Sequence, residues 1–293
     1  MITPGALGGM SALCLGTADF MGRFSSRAID HHNAVLGMLI TSSILMTGWV
    51  ITISGIPSFQ QLAIWLIVIN GFATMGMTLL LYLGLARGPI SVVVPIVASH
   101  PVLVVFFYVL FIGATPSILQ WMAIFVTIAG TIIVSCGGGY TFVNKSIYDN
   151  FSRRLITTIF IALGSCFAYA ALVIAGQAAS QVHGQVYTLW IGRLVGILLL
   201  LIVFGVRRCK PSIPFRWWPF LGAQGTLDAG GYLFLFAGSY GSGKEIVAVV
   251  SATFGVVTIL LARVFLKEKI TVIQWFGIFL VFTGVAVLGI EKN

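Results

Sequence analysis

The sequence predicts an all-α membrane protein of ten transmembrane helices, arranged as two inverted five-helix repeats. Three observations carry this. Of 293 residues, 59% are hydrophobic and 8% charged. An ordinary soluble domain carries about 25% charged residues, so these are too few to coat a water-exposed surface. Apolar runs of about 20 residues, the length that crosses the hydrocarbon of a bilayer, recur along the whole chain. The second half also repeats the first at a constant offset of 154 residues.

The runs fall at 4–22, 34–54, 62–86, 89–112, 117–136, 155–175, 185–205, 217–240, 245–266 and 270–290. The opening MITPGALGGM lacks the basic segment of a signal peptide, so the first run is expected to stay as a helix. Arg87-Gly88-Pro89 divides the third run from the fourth, and Gly113-Ala114-Thr115-Pro116 the fourth from the fifth. The longest polar connector, GGGYTFVNKSIYDNFSRR at 137–154, separates five runs from five. It bounds a first repeat, 1–136, and a second, 155–293.

The repeat is most visible in the fifth and tenth runs. QWMAIFVTIAG (120–130) and QWFGIFLVFTG (274–284) are identical at Gln120/Gln274, Trp121/Trp275, Ile124/Ile278, Phe125/Phe279 and Gly130/Gly284. At the same offset Gly84 falls on Gly238 and Gly71 on Gly225, a register too long for chance. Five runs per repeat is an odd number, so the second repeat enters the membrane from the opposite face. Inverted repeats of this kind are characteristic of secondary transporters, in which two halves exchange conformations around a central site.

These residues resemble the EamA family of the drug/metabolite transporter superfamily over nearly the whole chain. The best local pieces are YLGLARGPISVVVPIVASHPVLVVFF (82–107) with QWMAIFVTIAG, and AVVSATFGVVTILLARVFLKEKITVIQWFGIFLVFTGV (248–285). Pro101 stands at the family's proline position, and Glu268 at the acidic position of its turn. Ala114 and Gly255 depart from the pattern in the opposite halves. Leu15-Gly16-Thr17-Ala18-Asp19 stands where the family commonly has Trp-Gly. The resemblance implies a cell-membrane, multi-pass permease or exporter of amino acids, metabolites or drugs, driven by a proton or solute gradient.

Two orientations are open. Twelve of the sixteen Lys and Arg, from Arg23 to Lys269, fall in the odd-numbered loops. Lys244 and Lys292 lie on the other side, and Arg193 and Arg263 lie within runs. The positive-inside rule then places the odd loops in the cytoplasm and both termini outside. The resemblance implies cytoplasmic termini.

An ionisable group at membrane depth needs a partner, a water-filled cavity or a function. Asp228 lies in the middle of the eighth run. Gln224 and Tyr232 stand four residues either side and share its helical face. It is a candidate for binding a cationic group or carrying a coupling proton; the alternative is a buried pair with Arg193. His100 precedes Pro101, which removes a backbone donor and opens the helix locally, and it is a second candidate for substrate binding or proton relay. Arg193, with Trp190 three residues earlier, has the fork geometry that clasps a carboxylate. Tyr169, Tyr82 and Tyr232 are candidates for an aromatic pocket. Asp19, with Arg23 four residues later, reads as a helix-end ion pair.

The expected partners are therefore a small-molecule substrate and the lipid bilayer. Acid and base together favour an amino acid or related metabolite. Cationic drug efflux or a nucleotide-like metabolite is the alternative, and monomer and homodimer both remain open. No catalytic residue, cofactor, metal site or nucleic-acid contact is signalled. H-E-x-x-H is absent, His31-His32 reads as an interfacial loop pair, and the four cysteines form no C-x-x-C pair. The basic residues sit in short loops, where membrane anchoring explains them. GSYGSGKE (238–245) approaches a phosphate loop, but Glu245 stands where Ser or Thr should hold magnesium. It joins two apolar runs instead of following a buried strand, and reads as a tight turn.

Overall fold

The computed structural model describes residues 4–54, 61–112, 117–136, 145–237, 247 and 250–290. Among these every regular element is helical and none is a strand. The helices are α1 Pro4–Ala28, α2 His31–Trp49, α3 Gln61–Arg87, α4 Ile90–Ala98, α5 His100–Ile112, α6 Ile118–Cys136, α7 Lys145–His183, α8 Gln185–Val206, α9 Trp218–Ala237, α10 Phe254–Phe265 and α11 Val272–Ile290. A π-helical turn, Val50–Ser54, extends α2, and a 3-10 turn, Phe215–Trp217, precedes α9.

Among the described residues five stretches are long and apolar enough to cross a membrane: 31–52, 64–87, 90–111, 153–183 and 185–206. The outward faces are apolar, with Trp65 at 72% exposure and Ile51, Leu110, Phe160 and Phe279 similarly presented. Asn70, Gln224, Arg193 and several Ser and Thr point inward. Where lipid is the solvent this is the favourable distribution, because polar groups there need partners within the protein.

Several elements differ from the sequence reading. Helix α1 runs six residues past position 22, so Arg23 and Arg27 are helical and not in a loop. There Arg23 turns away from Asp19. Its Nη1 donates to Leu85 O (3.0 Å) and Gly88 O (2.6 Å), capping the carbonyl end of α3. The expected Asp19–Arg23 ion pair is absent among the described residues. Positions 145–154 of the expected connector belong to α7; 137–144 and the GSYGSGKE turn lie outside the described residues. His31 and His32 open α2 instead of lying in a loop.

The fourth run is two helices, α4 and α5, parted at Ser99. Pro101 has no N–H to give Val97 O, and His100 Nδ1 lies 3.2 Å from that carbonyl. The ninth run is parted in the same way at Thr253, 154 residues on. Ser99 Oγ donates to Ile96 O and Thr253 Oγ1 to Val250 O, both at 2.6 Å.

Other details recur at that offset. Asp30 takes φ 70 and ψ 146 at the start of α2, and Gly184 takes φ 80 and ψ 157 at the start of α8. Ser11 Oγ donates to Gly231 O (2.8 Å), and Ser165 Oγ to Met77 O (3.0 Å). A Cβ on Gly71 would meet Val195 at 2.6 Å and Gly192 O at 3.1 Å. One on Gly225 would meet Met38 O at 2.7 Å, with Thr41 beside it. Position 38 matches 192, and 41 matches 195.

Helices α6 and α11 pack through Gly130, Gly277 and Gly284. A Cβ on Gly130 would lie 2.7 Å from Gly277 O and 2.8 Å from Val281 N. One on Gly284 would lie 2.8 Å from Ala123 O and 3.0 Å from Thr127 N. As residue number rises on one helix it falls on the other, so the two run antiparallel at backbone contact, an approach only small residues permit.

Candidate functional site

A narrow internal cavity, with room for about one water, lies where α1, α3, α7 and α9 converge. Leu15, Asp19, Met77, Thr78, Leu81, Tyr82, Tyr169, Asp228 and Tyr232 line it. Two carboxyl groups and three phenol rings therefore face one small space in an otherwise apolar bundle.

Helix α9 presents Asp228 and Tyr232 from one face, four residues apart. Its backbone lies close to α1, where Gly231 stands against Leu15. Behind Asp228, Arg193 of α8 is 2% exposed, and its Nη2 is 2.6 Å from Asp228 Oδ2. Arg193 Nε donates to Ser42 Oγ (2.9 Å) on α2, and its guanidinium carbon stands 5.8 Å from the centre of the Tyr232 ring. Arg193 does not line the cavity. Its donors hold Asp228 and Ser42, so of the two sequence readings the buried pair is what the fold contains.

Gln224, one turn before Asp228, also stands behind the cavity. Its Nε2 donates to the Tyr82 hydroxyl, and its Oε1 accepts from Ser25 Oγ (3.1 Å). His100 reaches the cavity only through Tyr169, on which its ring stacks at 4.0 Å and 14°. Tyr169 in turn meets Tyr232 edge-on at 6.5 Å. Trp190 lies elsewhere, donating from Nε1 to Thr47 Oγ1 (2.8 Å) to tie α8 to α2.

Of the residues singled out in the sequence, Asp228, Tyr232, Tyr169 and Tyr82 thus line the cavity. Gln224, Arg193 and His100 brace it, and Trp190 does neither. Sequence reasoning gave Asp19 a helix-end role, whereas its carboxylate lines the cavity with no hydrogen bond or ion pair to any described residue. It also passed over Leu15, Met77 and Thr78. The repeat offset contains the missing signal: Leu15 matches Tyr169, Thr78 matches Tyr232, and Met77 matches Gly231.

Asp30, His31 and His32 bring their ligand atoms within 4.8 Å of one another. Hydrogen bonding accounts for that cluster. Asp30 Oδ1 is 2.9 Å from His31 Nδ1 and Oδ2 is 3.0 Å from His32 Nδ1, while Arg207 Nη1 stands 2.7 Å from His32 Nε2.

An apolar exterior, inward polar groups and helices broken beside an internal cavity define a polytopic membrane protein built around a central polar site. The EamA-like transporter family matches residues 5–136 and 156–290, and the chain belongs to it. It is a multi-pass membrane transporter. An uncharacterized transporter of Synechocystis sp. is 24% identical over 233 residues, covering 78% of this chain and 68% of its own length. A solved crystal structure, 16% identical, has the same fold with a TM-score of 0.65 over 96% of this chain and 98% of that one.

Proposed function

We propose that the chain is a secondary transporter, a permease or exporter, moving a small organic solute across the cell membrane by alternating access. The solute is an amino acid or related metabolite, and a proton or solute gradient drives it. The two repeats, 1–136 and 155–293, are inverted with respect to each other and hold the site between them.

One observation carries this reading: contacts between the halves exchange under the 154-residue offset. Ser11 bonds Gly231 as Ser165 bonds Met77, and Gly71 packs on Gly192 and Val195 as Gly225 packs on Met38 and Thr41. Such reciprocal contacts are the mark of a two-fold relation. The antiparallel crossing of α6 and α11 agrees with an axis in the membrane plane, as inverted repeats require. Helix breaks at the matched Ser99 and Thr253 support the same reading, since discontinuous helices at corresponding positions flank transporter sites. Asp228 and Tyr232 bind the solute with Tyr169, while Gln224, Arg193 and His100 hold them in place.

The test is uptake into liposomes holding the purified chain, with an imposed proton gradient and a panel of amino acids and metabolites. Saturable, gradient-dependent uptake of at least one solute is expected. Folded protein that moves none of them would sink the proposal.

A further inference from the structure

We propose that the cavity recognises its substrate by a cationic amino group held at the Asp19 carboxylate, and that it does not clasp a substrate carboxylate. This rests on reading the cavity as the transport site.

The two carboxyl groups at the cavity are unequally paired. Asp228 is answered by Arg193 at 2.6 Å. Arg193 is itself engaged by Asp228 and Ser42, and is screened from the cavity. Asp19 faces the same space from α1 with no partner among the described residues. A carboxylate with no partner in an apolar bundle is costly. A monovalent cation entering the cavity gives Asp19 that partner.

The rest of the lining selects among cations. Tyr82, Tyr169 and Tyr232 bring three aromatic rings to a space that also holds Leu15, Met77 and Leu81. Ring faces attract ammonium and guanidinium groups; the cavity as it stands takes only the ammonium, and the hydrocarbon body of an amine needs the halves to part, as alternating access provides. An ammonium donates a charge-assisted hydrogen bond to Asp19. A carboxylate in the same place would face two acidic side chains, with no free arginine to hold it. An amino acid therefore binds through its amine alone, and the amine lacking the carboxyl group binds at least as well.

The test uses the full-length chain in lipid nanodiscs at fixed sodium and potassium concentrations. Binding is measured for phenethylamine, butylamine, leucine and leucinamide, for the N-acetyl derivative of each, and for phenylpropionate and butyrate. At least one amine should bind, its N-acetyl partner at least tenfold more weakly, and the acids not at all. Asp19→Asn should lose tenfold or more for that amine, and Asp19→Glu should keep part of it. Thermal unfolding without ligand checks that both variants fold. Equal amine affinity in wild type and Asp19→Asn overturns the proposal, as does preference for acids, binding of sodium with no amine, or no binding at all. If liposome uptake of a neutral or acidic solute persists while amines fail, this inference falls and the transporter reading stands. If nothing is transported, both fall.

Discussion

Arg193 Nη2 lies 2.6 Å from Asp228 Oδ2, and this pair joins α8 to α9 beneath the cavity. Both groups are largely buried, with side chains 2% and 14% exposed. Removing one partner of such a pair strands the other, at a cost of about 3–5 kcal/mol. Arg193→Met should therefore lower the thermal unfolding temperature sharply in detergent. Adding Asp228→Leu to it should recover much of the loss. If Arg193→Met unfolds like wild type, the pair is not holding the two helices.

At the crossing of α6 and α11 the backbones touch. A side chain on Gly130 would press on Gly277 O and Val281 N, which cannot move aside as a flexible side chain can. Gly130→Leu should destabilise by about 1–3 kcal/mol, as overpacked interiors do. Gly222→Ala is the control, since a Cβ there meets nothing within 4 Å. Equal unfolding midpoints for the two variants would mean that the helices do not cross so closely.

Glu268 caps the start of α4 from the turn between α10 and α11. Its Oε1 accepts from Ser91 N (3.0 Å) and Ser91 Oγ (2.6 Å), and its Oε2 from Ile90 N (3.2 Å). A carboxylate at a helix N-terminus satisfies free amides and complements the helix dipole. Glu268→Ala should cost about 1–2 kcal/mol, by analogy with lost N-caps. It should also speed hydrogen exchange at the Ile90 and Ser91 amides by tenfold or more. Unchanged exchange at these two amides would refute the cap.

The basic residues gather at one end of the bundle. Arg23 and Arg27 bond the carbonyl end of α3, Arg207 contacts His32 at the start of α2, and Glu268 beside Lys267 and Lys269 contacts the start of α4. The positive-inside rule predicts that this end is cytoplasmic. Cys209 is exposed there and gives a natural probe. In a chain with the other three cysteines changed to serine, a membrane-impermeant maleimide should label Cys209 only after the cells are permeabilised. Labelling in intact cells would reverse the orientation.

Membrane helices were legible in the sequence because composition and run length answer directly to the thickness of the hydrocarbon. The helix breaks were half legible. Pro101 announced one, while Thr253 carries no proline and follows only from its match to Ser99. Asp228 stood out because an acid in the middle of an apolar run has no local explanation. Asp19 was misplaced because Arg23, four residues on, offered one, and pairing along a helix is easy to read from spacing. Arg23 instead reaches two carbonyls at the end of a different helix, on Leu85 and on Gly88 just beyond it, more than sixty residues away in sequence. A choice of that kind depends on tertiary geometry, which spacing along one helix does not encode.

The charged caps at the basic end have no charged counterparts at the other. At the 154-residue offset Arg23 matches Gln177, Arg27 matches Gln181, and Glu268 matches Ala114. Two halves with the same scaffold thus carry different fastenings. If the repeats exchange conformations as proposed, the two directions of the swing are not equivalent. The basic end closes on charged side chains that grip backbone carbonyls and amides, and the far end lacks these three catches. The molecule would then dwell longer shut towards the basic side than towards the other.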